Sequence, residues 1–233
     1  MEGVRNRSSV LFPLTTIPSR KDDFTWMLSR GSQRNRLGMH IGIIGSSGKV
    51  ADRKPLTRMA WRRMKELTME VISGLSSAST KKVTLVSGGS SWVDHMAVEM
   101  YLSDPDMWQG LILYLPAPLT VDAVSGICNY ETKPPFTRTG QTLNSRHHHF
   151  SKTCYNDPGH SLQELHSLQS MSNLNVIVVV EPKGFKVRNS HIANNIDHLV
   201  ALTVRDTIEG GTLDTWNKFG GSKERCSQLV FQP

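Results

Sequence analysis

The chain has 233 residues, 38% hydrophobic and 20% charged, a length that suits one α/β domain with an appendage and can bury a full core. No apolar run approaches the roughly 20 residues needed to span a bilayer, so neither a transmembrane helix nor a membrane partner is expected. A formal net charge of +7, from 27 basic and 20 acidic residues, inclines towards nucleotides or nucleic acid, although lysines scattered for solubility give the same figure.

Residues 1–38 stand apart. Arg5, Arg7, Arg20, Lys21, Arg30, Arg34 and Arg36 outweigh Glu2, Asp22 and Asp23 there, without sustained periodicity. We expect a basic, flexible N-terminal extension, followed by a single domain over 39–233. "MHIGIIG" (39–45) is a β-branched apolar run closed by glycine, as in a buried parallel strand. Pro55 then opens a helix expected to run to about Gly74–Leu75, with Met64, Leu67, Val71 and Leu75 inward. "KVTLVSGG" (82–89) reads as a second strand and turn. Ser91 and Asp94 have the spacing of a capping box for a helix carrying Val93, Met96, Ala97 and Met100.

"GLILYLPA" (110–117) is a third strand. Residues 118–160, with Pro118, Pro134, Pro135 and Pro158, are expected to be an irregular insertion. Ser161 and Glu164 then resemble a second capping box ahead of a short helix. The strand "NVIVVV" (175–180), the helix "NSHIANNI", the strand "DHLVALTV", the helix "TLDTWNKF" and the strand "SQLVFQ" complete the chain. Strands alternating with helices predict an α/β fold: a three-layer, Rossmann-like sandwich around a mostly parallel sheet. Cys128, Cys154 and Cys226 are dispersed and form no C-x-x-C pair, as expected for reduced thiols in a cytoplasmic compartment.

Ligands of such sheets sit beyond the carboxyl ends of the strands. Three of these ends are rich in glycine and hydroxyl groups: "GSSGK" after the first strand, "SGGSS" after the second and "EGGTLDT" after the fifth. Each leads into a helix whose free N–H groups and dipole favour an anion. Gly45, Ser46, Ser47, Ser87, Gly88, Gly89, Ser90, Gly210, Gly211, Thr212 and Thr215 are therefore the candidate phosphate-binding set. The first turn has neither Walker nor dinucleotide glycine spacing, so it is expected to share a phosphate site with the others. Glycine and serine also occur in such turns for geometry alone.

The motif order resembles one family set. "LVSGGSSWVDHMAVEMYL" is similar to the S-G-x-A-x-G-[IV]-D-x-x-A-H stretch of DNA-processing (Smf/DprA) proteins through Ser87, Gly88, Val93, Asp94 and Ala97. "FKVRNSHIANNIDHLVALT" resembles their F-x-x-R-N-R segment through Phe185, Arg188, Asn189, Ile192, Ala193 and Asp197. "GGTLDTWNKF" falls where they have S-G-[ST]-L-x-T-A. The resemblance, over roughly residues 40–231, is to the SLOG superfamily, which joins those proteins with the lonely-guy (LOG) phosphoribohydrolases and nucleotide-sensing modules. It implies a nucleotide-type ligand, held with help from Arg188, Asn189 and Asp94, and a homodimer. No cofactor other than a bound nucleotide is implied.

The sequence also departs from that pattern. Trp92 replaces a glycine, Val98 a histidine and Ser190 an arginine. Thr215 stands where the hydrolase branch has its glutamate, and a hydroxyl cannot replace a carboxylate as general acid or base near neutral pH. Asp214 is the nearest catalytic candidate, one position off. In the insertion, His147, His148 and His149 with Cys154 and His160 invite a metal, but no ligand spacing supports one and none is expected. Arg146, Phe150 and Lys152 are candidate contacts to single-stranded DNA, with Phe150 as a stacking platform. The expected function is a nucleotide-binding module. Alternatives are a DprA-like single-stranded-DNA binder and a LOG-like N-glycosidase.

Overall fold

The structure is a computed structural model that describes residues 38–49, 55–79, 81–170, 175–204, 206–220 and 224–231. Apart from Gly38, the expected basic extension lies outside the described residues. The β-branched runs form the strands of one sheet: β1 (Met39–Gly45), β2 (Val83–Ser87), β3 (Gly110–Leu115), β6 (Val176–Val180), β7 (His198–Thr203) and β8 (Cys226–Val230). Its order is β6-β3-β2-β1-β7-β8, every pair is parallel, and Ile43 lies opposite Val200 as Leu85 lies opposite Leu111. The fold is therefore the α/β, three-layer, Rossmann-like sandwich expected from the alternation of elements.

Period-two alternation sorts the strand residues between two cores. Ile41, Ile43, Leu85, Leu111, Leu113, Val200 and Leu202 join a core shared with α1 (Arg58–Ser79), α2 (Val93–Ser103), α3 (Thr137–Tyr155) and α4 (His160–Ser170). Ile44, Val86, Ile112, Tyr114, Leu199 and Ala201 face α5 (Phe185–Asn194) and α6 (Gly210–Phe219) on the other side. Each fully buried aliphatic side chain of this kind contributes roughly 1.5–3 kcal/mol. The connection from β1 goes outward to β2 while β7 lies on its other flank, so β1 and β7 bracket the topological switch point, where α/β sheets open a crevice.

Four local expectations need correction. Helix α1 begins at Arg58, with Thr57 Oγ1 accepting the Ala60 amide at 3.1 Å, and runs through Gly74 to Ser79. Ser91 does not cap α2: its hydroxyl donates to the Ser47 carbonyl, and Trp92 takes the cap position without a side-chain bond. Ser161 lies inside α4, and Glu164 faces His95 and His160 instead of a cap.

The largest correction concerns 118–160, which is ordered rather than irregular. Strands β4 (Leu119–Val121) and β5 (Cys128–Tyr130) pair antiparallel, and α3 covers 19 residues. The buried positions Leu143, His147, Phe150 and Cys154 recur at four- and three-residue steps, so a helical stripe was present in the sequence. A histidine at one of those positions, with prolines and weak helix formers around it, hid the pattern.

Candidate functional site

At the carboxyl ends of β1 and β7 the sheet opens into a cavity of about 270 Å³. Small-molecule sites occupy roughly 300–1,000 Å³, so this one suits a compact ligand. The first turn supplies Gly45, Ser46, Ser47 and Lys49, and the start of α6 supplies Gly211, Thr212 and Thr215. Ser90, Asp94 and Arg188 form a buried wall, while Arg146 arrives from α3.

Gly45 makes the close approach of β1 to β7 possible, because a Cβ there would lie 1.9 Å from the Leu202 carbonyl oxygen. The Ser46 amide donates to that same carbonyl at 3.0 Å. Ser46 Oγ accepts the Val204 amide and Ser47 Oγ accepts Arg146 Nη1, so each hydroxyl keeps its proton to donate to a ligand. The leading amides of α6 have no intrahelical acceptor, and they add N–H donors and the positive dipole end. Thr212 Oγ1 ties that terminus to the Gly45 carbonyl.

The second turn behaves differently. Ser87 is fully buried and its hydroxyl reaches the carbonyls of Ile43 and Asp94, at 2.9 and 2.8 Å. The Gly88 carbonyl accepts Arg188 Nη1, and the Gly89 carbonyl accepts the Tyr130 hydroxyl and His147 Nε2. A Cβ on Gly88 would lie 2.6 Å from the Arg188 guanidinium. Ser87, Gly88 and Gly89 are therefore structural, a correction to their expected role in the phosphate site. Only Ser90 of that turn's four candidates lines the cavity.

Arg188 also departs from expectation. It is buried; its Nε and Nη2 donate to Asn189 Oδ1, and Nη1 lies 3.6 Å from Asp94 Oδ2. Burial works against charge on both partners, raising Asp94 and lowering Arg188, while their mutual attraction opposes it. Asn189 in turn donates to the Gly211 carbonyl and Asp214 Oδ2. The Arg-Asn pair thus braces α5 against the second turn and α6, and Asn189 lies outside the cavity lining, as does Gly210.

Asp214 accepts from Lys218 at 2.8 Å as well as from Asn189. Burial disfavours its charge, but those partners prevail and hold it below its ordinary value, the wrong direction for a general acid. Thr215 spends its hydroxyl on the Gly211 carbonyl. The cavity lining also includes Ile44, Phe185, Thr203, Thr207 and Glu209, which the sequence did not mark as site residues; Thr207 Oγ1 donates to the Glu209 carboxylate at 3.3 Å. Lys49 stood inside the quoted turn yet was not singled out, for want of Walker spacing.

The three nucleic-acid candidates separate. Phe150 is fully buried between Trp61 and Trp92, with ring centroids 4.9 and 5.0 Å away, so it cannot stack on a base. Lys152 is exposed on α3, and Arg146 faces the cavity. His147 is buried in a chain of bonds through Ser161 to Ser151, and the described residues contain no cluster of metal-ligating side chains.

Trp92 explains one departure from the resemblance. Its φ of 58° with ψ of −122° is a conformation glycine adopts readily. Here a fully buried indole fills the core instead, at a strain of about 1–3 kcal/mol.

No family model matches the chain, and no solved structure matches it. Uncharacterized protein R261 of Acanthamoeba polyphaga mimivirus is 34% identical over 181 residues, which cover 77% of this chain and 90% of that protein. The chain belongs to the family of that viral protein. The shared span is long enough to include most of the sheet and several of the elements that build the cavity. Among the described residues no helix is long and apolar enough to cross a membrane, and the three cysteines are buried free thiols.

Proposed function

We propose that this protein is a SLOG-type module that binds a nucleotide or nucleotide derivative in the cavity between β1 and β7. The observation that carries this reading is the convergence there of Lys49, Arg146, two serine hydroxyls with donatable protons and the α6 amides. Guanidinium, ammonium, hydroxyl and amide donors around one small opening are the chemistry of a bound phosphate. Cytoplasmic location and a homodimer belong to the same proposal.

The test is calorimetry against mononucleotides, ADP-ribose and cyclic nucleotides, with native mass spectrometry of freshly purified protein to report any retained ligand and the subunit number. Saturable binding by at least one of them is expected; no binding by any would sink the proposal. Single-stranded DNA is the weaker reading, since its stacking residue Phe150 is buried. The N-glycosidase reading is weaker still, because Thr215 and Asp214 are both held by neighbours.

A further inference from the structure

The two edges of the sheet, β6 and β8, are finished differently. Strand β8 carries Ser227 and Gln228 and follows Glu224 and Arg225, polar side chains of the kind that discourage further pairing. Strand β6 reads Val-Ile-Val-Val-Val, with no charge, proline or hydroxyl. Strands β2, β3 and β7 are buried throughout, whereas no residue of β6 is fully buried and Ile177 is 37% exposed.

The register with β3 decides where the backbone of β6 points. The Leu111 amide donates to the Asn175 carbonyl at 2.9 Å, and the Glu181 amide donates to the Leu115 carbonyl at 2.7 Å. A parallel ladder engages alternate residues, so Asn175, Ile177, Val179 and Glu181 turn their N–H and C=O groups to β3. Val176, Val178 and Val180 turn theirs outward, and no strand among the described residues pairs with that side.

This spacing is complementary to itself. In an antiparallel pair, two residues whose backbone groups face one another exchange both hydrogen bonds. A two-fold axis at Val178 sets that residue opposite its own copy and Val176 opposite Val180, so every outward group meets its complement. Between them Ile177 falls opposite Val179 of the second copy, a cross-strand pair that covers the exposed side chain. At the ends Glu181 falls opposite Asn175, so no like charges meet. Glu181 is already held by His191 at 3.1 Å and by the Lys183 amide.

We propose that β6 is the interface with a second copy of this chain: two subunits join antiparallel through β6 into one continuous sheet. It rests on the homodimer reading above, gives that dimer a surface, and is independent of what the cavity binds. A strand pair of this length lies at the small end of specific interfaces, so dissociation in the micromolar range is expected.

Sedimentation velocity of the full chain from about 1 to 200 μM is the test. Val178→Pro removes the outward N–H at the axis and spares the β3 ladder, as edge strands allow. Ile177→Lys places a charge beside the axis at an exposed position. Each is expected to weaken the dimer about tenfold or more, and Ile177→Lys decides the matter if the proline variant does not fold. Gln228→Pro, at an outward position of β8, is expected to leave the dimer unchanged. Hydrogen exchange should show the Val176, Val178 and Val180 amides gaining protection as concentration rises.

A dimer that the folded β6 variants retain in full overturns the inference while the homodimer stands. Growth beyond two subunits means that β6 meets β8 instead of itself, and also overturns it. A monomer throughout the range removes the homodimer as well; protected β6 amides in that monomer would show that the chain covers its own edge.

Discussion

Two turns of nearly the same composition, "GSSGK" after β1 and "SGGSS" after β2, take opposite parts in this molecule. In the first, the hydroxyls of Ser46 and Ser47 accept bonds from protein donors and keep their protons for a ligand. In the second, Ser87 donates into the interior, and the Gly88 and Gly89 carbonyls are occupied by Arg188, Tyr130 and His147. The difference is burial. The first turn lies beside the switch point, where β1 and β7 part; the second lies under α3 and the β4–β5 pair. A glycine-serine turn keeps its hydroxyls open to a cavity only where the sheet leaves room beyond it.

This contrast can be broken most forcefully at its brace. Arg188→Ala leaves Asp94 as an unpaired buried carboxylate and is expected to cost about 3–5 kcal/mol in denaturant unfolding at pH 7. A loss below about 1 kcal/mol would show that the second turn does not depend on that pair.

His147 gives the next effect. Burial, with a smaller contribution from His95, holds its imidazole well below the ordinary value of 6.5, against the bond to the Gly89 carbonyl. As pH falls below about 6.5 the unfolded chain binds a proton that the folded chain refuses, so stability declines by up to about 1.4 kcal/mol per pH unit. His147→Gln should flatten the acid limb of stability between about pH 6.5 and 5 by that share. His198, also held low by burial, keeps its own contribution to the acid limb in that variant.

Two serines then give a matched pair around the cationic residue. Ser87→Ala is expected to lower stability by about 1–3 kcal/mol without changing nucleotide affinity beyond what the lost stability explains. Arg146→Ala should do the reverse, weakening nucleotide binding about tenfold while stability stays within about 0.5 kcal/mol. Ser47→Ala should have the smallest effect, an affinity loss of about 0.5–1 kcal/mol with unfolding unchanged, read by calorimetry and thermal melts. Equal behaviour of the two serine variants would erase the distinction between the turns.

The six strands of the main sheet and the helices outside 118–160 were legible in the sequence, because runs such as "HIGIIG" and "VALTV" lie between two cores and must be apolar on both faces. The placement of the cavity at the carboxyl ends of the strands followed from the same parallel pattern, whereas the strand order that sets it between β1 and β7 did not. Gly45, Ser46, Ser47, Gly211 and Thr212, which line the cavity, were singled out from local composition because strand-to-helix turns announce themselves by glycine and short hydroxyls, whereas Asp94 came through the resemblance. What only the tertiary structure decided is which polar groups face the cavity. Arg146 lies 99 residues from the serine it bonds, Phe150 vanishes into an aromatic cluster, and Arg188 is drawn inward to Asp94. The physical reason is that a side chain's type is a local property, whereas its partners and its exposure belong to the packing of elements distant along the chain.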